Sequence, residues 1–123
     1  LPKLLEVEKL IIERVINTAK TTITQMAEAE FIASTKLKID TNDDYVDSCG
    51  DSSIKCDDVR NKYLRGLIEM RIATPYGRGY IINAIGQHKY SQSITFNAFM
   101  AQKVCDYLNK ELAVIFYTTS RLD

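Results

Sequence analysis

Between Pro2 and Ile39 apolar residues recur at helical spacing: Ile12, Ile16, Ala19, Ile23, Ala27 and Phe31 fall three or four apart, with Met26 beside them. The pattern predicts one long amphipathic helix over 1–39, and every later element must pack around it. At 1.5 Å per residue, roughly 35 helical residues span about 50 Å, more than a domain of this size covers. One end is therefore expected to project or to pack on another chain. Thr18, Thr21, Thr22 and Thr24 lower helix propensity in the middle, so a bend is expected there.

A chain of 123 residues suits a single domain, 1–123, burying roughly two thirds of the surface of its unfolded form. Apolar residues make up 46%, and 16 basic side chains balance 16 acidic ones, which argues against disorder and against a polyanionic partner. No basic stripe interleaved with aromatics appears, so nucleic-acid contact is not indicated. Lys3, Glu6, Glu8, Lys9, Glu13 and Arg14 interrupt 1-LPKLLEVEKLIIERVI-16, leaving no apolar run near the roughly 20 residues that span a bilayer. The chain as given reads as soluble and, lacking an initiator Met or a cleavable signal, as a mature or trimmed fragment.

After the helix, 40–58 is rich in Asp, Asn, Ser and Gly and reads as an irregular loop. Residues 59–123 are expected to supply short helices and an antiparallel sheet. Asp57 and Asp58 offer an N-cap for a helix carrying Val59, Tyr63, Leu67 and Met70. The stretch 74-TPYGRGYIINAIG-86 reads as a Pro/Gly turn delivering the backbone into a strand. Tyr80–Ala84 and Ser93–Phe96 flank 85-IGQHKY-90 as the arms of a hairpin. Phe99, Val104, Leu108 and Leu112 mark another helix, and 113-AVIFYTT-119 a final strand, central because it is apolar on both faces. The fold class is α+β: a long N-terminal helix packed on a small antiparallel β-sheet, with additional short helices.

Catalytic chemistry finds little support in these residues. His88 lies in a polar turn with no serine or cysteine in a catalytic pattern around it. Gly77 and Gly79 run into Tyr80, Ile81 and Ile82 without a third glycine or a helix start, so a phosphate loop fails on context. Cys49 and Cys56 lack zinc-site spacing. Asp40, Asn42 and Asp44 alternate like the start of a calcium loop, but Tyr45 stands where the sharp turn needs Gly and Asp51 where a bidentate Glu belongs. No enzyme, cofactor or metal is expected. The three cysteines are Cys49, Cys56 and Cys105. A local Cys49–Cys56 disulfide in an oxidising compartment and three inert thiols in a reducing one both remain open.

The local sequence resembles the type IV pilins and pseudopilins, in particular the type IVb group. The resemblance rests on 74-TPYG-77 followed by 80-YIINA-84, similar to the Thr/Asp-Pro-aromatic-Gly turn by which these proteins enter their sheet. It rests also on 93-SITFNAFMAQKVCDYL-108, similar to a strand, linker and cysteine-bearing helix of type IVb members. The long helix before an irregular αβ-loop fits the same pattern, while the family's apolar amino-terminal segment is absent. The resemblance implies a pilin-like fold and a structural or initiating subunit of a pilus or secretion pseudopilus. Assembly would run through the helix face Ile12, Ile16, Ala19, Ile23 and Ala27. Implied partners are sister subunits, the pilus assembly machinery and a host or surface receptor met in adhesion. The implied location is the bacterial cell surface or periplasm, from a precursor anchored in the inner membrane. Family members close their C-terminal region with a disulfide; Cys105 sits in the matching stretch and no cysteine follows it, so it pairs back to Cys49 or Cys56 or stays free. The alternative is a small non-enzymatic binding module that dimerises through its long helix.

Overall fold

The computed structural model describes residues 5–34, 50–83 and 94–122. Its order is α1 (Glu6–Thr18), a π turn (Ala19–Ile23), α2 (Thr24–Ala33), β1 (Gly50–Cys56), α3 (Lys62–Glu69), β2 (Ala73–Tyr76), β3 (Gly79–Ile82), α4 (Ile94–Glu111) and β4 (Tyr117–Leu122). The class is α+β with an antiparallel sheet, as expected.

Helix α1, the π turn and α2 form one continuous helix of 28 residues. It starts where the Leu5 backbone N–H donates to Glu8 Oε1 at 3.1 Å, half of a capping box, with Glu6 and Glu8 placing negative charge at the positive end of the helix dipole. The threonine-rich centre widens instead of simply bending. Both the Thr24 N–H and its hydroxyl, the latter at 2.5 Å, donate to the Ala19 carbonyl five residues back. The extra residue in this turn rotates the apolar stripe of α2 relative to that of α1.

The long helix does not lie directly on the sheet. Helix α1 packs on α3 and α4, and α2 packs on α4, while α4 itself covers β1 and β4. Helix α4 can serve both sides because Phe96, Met100, Ala101, Val104, Cys105 and Leu108 are all buried, a broader band than a one-sided helix needs. Nor does the helix outrun the head over the described residues: from Glu8 through Ile12, Ile16, Ala19, Thr24 and Ala27 to Phe31, its successive turns put a buried residue against the domain.

The sheet order is β2-β3-β1-β4, with all three pairings antiparallel. The Pro/Gly stretch is itself a hairpin: Thr74, Pro75 and Tyr76 lie in β2, and Gly77-Arg78 makes the turn, with Gly77 at φ 59°, where a II′ turn takes glycine. Pro75, which has no N–H to donate, is tolerated because β2 is an edge strand. Four expectations need correction. The 40–58 loop contains a strand, β1, in the sheet interior; its inward side is Gly50, Ser52, Ile54 and Cys56, too small and polar to signal a strand. Gly50 is required there, since a Cβ would come within 2.4 Å of Ile94 Cδ1. Ser93–Phe96 is no hairpin arm, because Ile94 begins α4; residues 85–90 lie outside the described set. The final strand starts at Tyr117 rather than 113 and, among the described residues, is an edge, not a centre. Asn109 sets that boundary by accepting from the Phe116 N–H at 2.7 Å and donating to the Phe116 carbonyl at 3.1 Å. Finally, α3 is capped by Asn61, whose Oδ1 accepts from the Tyr63 N–H at 2.9 Å, not by Asp57 or Asp58.

Helix α3 ends in a Schellman motif: Arg71 N–H donates to Ile68 O at 3.0 Å and Ile72 N–H to Leu67 O at 2.9 Å. Arg71 takes the left-handed position at φ 61°, which glycine fills without strain. Among the described residues the interior divides in two. A main core joins Ile12, Val15, Ile16 and Ala19 to residues of α3, α4 and the sheet, among them Leu64, Leu67 and Ile54. A separate small cluster holds Ala27, Phe31, Phe96 and Met100, with Phe99 against it.

Candidate functional site

The expected assembly face is largely occupied by the chain's own interior. Ile12, Ala19, Ala27 and Ile16 are 0 to 4% exposed, and Ile23 is half-buried against the main core. Burying an isoleucine such as Ile12 or Ile16 stabilises by about 1.5–3 kcal/mol, so the stripe would not be given up cheaply to a neighbour. The apolar side chains the helix leaves in solvent are Leu5 at 62%, Val7 at 59% and Leu10 at 63% in its first two turns, and Met26 at 63% and Ile32 at 44% in α2.

Glu8 anchors that exposed end. Its Oε2 pairs with Lys62 Nζ at the start of α3, while Oε1 holds the Leu5 N–H. The hydrogen bond from Lys62, then that from Leu5, keeps the Glu8 carboxyl below its ordinary value, and the same pairing raises Lys62. This buried acid therefore serves as a fastener, with both oxygens engaged.

Among the described residues, nothing covers the sheet face away from α4. Asp51, Ser53, Lys55, Tyr76, Ile81 and Arg121 line a shallow depression of about 470 Å³, with Lys55 Nζ 4.3 Å from the centre of the Tyr76 ring. At one corner the Tyr117 hydroxyl donates to both Asp57 oxygens, at 3.0 and 3.1 Å, which raises the Tyr117 pKa by favouring the protonated phenol. A second cleft of about 350 Å³ lies between α3 and β3, lined by Val59, Arg60, Arg65, Ile68, Glu69 and Tyr80.

Cys56 on β1 and Cys105 on α4 are free thiols buried in the main core. Burial, first of all, pushes both pKa values up, and the neighbouring carboxylates of Asp58 and Asp57 beside Cys56 and of Asp106 beside Cys105 add to it. Both are structural thiols. The Cys49 end of the local pair lies outside the described residues, as do His88 and Asp40, Asn42, Asp44 and Tyr45 of the acidic run. Asp51 is exposed on β1, and among the described residues no group of three His, Cys, Asp or Glu is placed to hold a metal. Among the same residues, no helix is long and apolar enough to cross a membrane.

Sequence reasoning singled out the stripe but not Leu5, Val7 and Leu10. Their off-stripe positions in 4-LLEVEKLI-11 were the available signal. Comparison with known proteins finds no match: no family model, no curated protein and no solved structure is significantly similar to this chain.

Proposed function

We propose that this chain is a structural or initiating subunit of a type IV pilus or related pseudopilus, joined to sister copies through the start of its long helix. The observation that supports this reading is the clustering of three exposed apolar side chains, Leu5, Val7 and Leu10, at the start of a helix whose Ile12, Ile16, Ala19 and Ala27 face inward. Covering such side chains with neighbouring helices removes apolar area from water without any catalytic site, and head-to-tail contacts that do not close build a fibre. The assembly surface is thus shifted from Ile12, Ile16, Ala19 and Ala27 to the turns before them. On this reading the precursor is held in the inner membrane, the assembly machinery extracts it, and the exposed sheet face remains available to neighbours or a receptor. The alternative of a module dimerising through its helix has less surface to use, because the stripe it needs is already buried.

The test is a double variant, Val7→Glu with Leu10→Glu, in the full-length gene product expressed in its own host. Loss of the protein from sheared filaments with an unchanged Tm of the purified domain is expected. Wild-type recovery of the variant, or no filament association of the parent protein, overturns the proposal.

A further inference from the structure

The two edges of the sheet are unlike. Strand β2 has four residues, and Pro75 among them deletes a donor. Strand β4 has six, Tyr117-Thr118-Thr119-Ser120-Arg121-Leu122, with no proline or glycine, and among the described residues it pairs only with β1. Tyr117 at 39% and Leu122 at 63% are exposed, as are Ser120 and Arg121, while Thr118 and Thr119 are half-buried. One alternating set of its backbone N–H and C=O groups therefore faces away from the sheet.

We propose that β4 pairs with β4 of a second copy, antiparallel across a two-fold axis through Thr119, joining two four-stranded sheets into one. The side chains select this register. The pairing of β1 with β4 sets Lys55, Ser53 and Asp51 opposite Tyr117, Thr119 and Arg121, so those three β4 residues share the open face. Faces match across a two-fold only if odd positions meet odd ones. Centring on Thr119 puts Tyr117 opposite the partner's Arg121, twice over, and Thr118 opposite Ser120 on the other face. The Tyr117–Arg121 pairs set a guanidinium beside an aromatic ring, a favourable cross-strand combination, while the Thr118 and Ser120 hydroxyls keep their bonds to Gln102 and Ser52. Centring on Ser120 instead loses the Tyr117–Arg121 pairs, setting Arg121 against Thr119 and Leu122 against Thr118. A β4–β2 joint meets Pro75. The contact is isologous and closes at two copies, so it stands apart from the open-ended helix contact and does not depend on the pilus reading.

Sedimentation velocity of the chain from about 10 μM to about 1 mM tests it. A concentration-dependent monomer–dimer equilibrium is expected. Tyr117→Arg places like charges opposite Arg121 at two symmetric points and is expected to weaken the dimer at least roughly tenfold. Tyr117→Glu creates two opposite-charge pairs and is expected to keep it. Both variants lose the bond to Asp57, so their Tm values should fall together while their dimerisation diverges. A chain monomeric throughout the range, or a dimer that both variants weaken equally, overturns the register. A dimer abolished by Leu10→Glu but not by Tyr117→Arg assigns association to the helix and also overturns it.

Discussion

The two halves of the amino-terminal helix solve different packing problems. Before the π turn, α1 inserts Ile12, Val15, Ile16 and Ala19 into a core shared with two helices and the sheet. After it, among the described residues, α2 rests Ala27 and Phe31 on the beginning of α4, where Phe31 meets Phe96 edge-on at 5.2 Å and Phe99 at 5.3 Å. An uninterrupted α-helix would carry one stripe along one side; the π turn lets the same helix serve two clusters. Among the described residues the smaller cluster holds fewer buried side chains than the main core, so α2 is expected to open at lower free energy than α1, which can leave only when the main core does.

Replacing a residue on each side makes the largest test. Ile12→Ala should cost about 3 kcal/mol in urea unfolding, as a fully buried aliphatic side chain leaving a cavity. Phe31→Ala should cost only about 2 kcal/mol despite the larger ring, because detachment of α2 caps the loss. A global loss at Phe31 above that at Ile12 would erase the distinction between the two halves. Next comes the joint itself. Thr24→Val keeps the shape but removes the hydroxyl on Ala19 O, and should cost about 1 kcal/mol, with α2 amides exchanging faster and α1 amides changing less.

At the amino end, Glu8→Gln weakens the link from α1 to α3 by removing the charge opposite Lys62. Because the folded-state pKa of Glu8 is lowered, its contribution is present above the ordinary value of 4.5 and is lost as pH falls through the folded value. Wild type and variant should therefore differ in urea midpoint at pH 7 and converge in strong acid. A difference that persists there would remove the ion pair from the explanation. The smallest effect should be a gain. Arg71→Gly relieves a left-handed residue and should add about 0.5–1 kcal/mol, raising protection in α1 through α3 while leaving local opening of α2 unchanged.

How far the sequence carries depends on the kind of signal. The helix was readable because its core residues repeat at one period, and the weak centre was readable in its threonines. That the centre would become a π turn, dividing the stripe between two cores, depended on where α4 lies. Strand β1 escaped notice because close approach to Ile94 selects Gly50, and its neighbours Asp51, Ser52 and Ser53 look like a loop. Ile94-Thr95-Phe96 has strand composition, yet Phe96, Met100, Val104 and Leu108 continue a helical period that outweighs it. The run 113–116 looked like a buried strand because Val114 and Phe116 are indeed buried, but Asn109 holds the chain as a connector and leaves Ile115 78% exposed. The exposed helix start was hidden by the same logic, since Val7 and Leu10 matter only once Ile12 and Ile16 are known to face inward.

Native-state hydrogen exchange, followed residue by residue along the helix in increasing denaturant, tests the division most directly. The amides of Ile12–Ala19 should exchange only through global unfolding, and those of Ala27–Phe31 through a smaller opening that lies below it in free energy and depends weakly on denaturant. Uniform protection across the π turn, or early exchange of α1, would contradict the account.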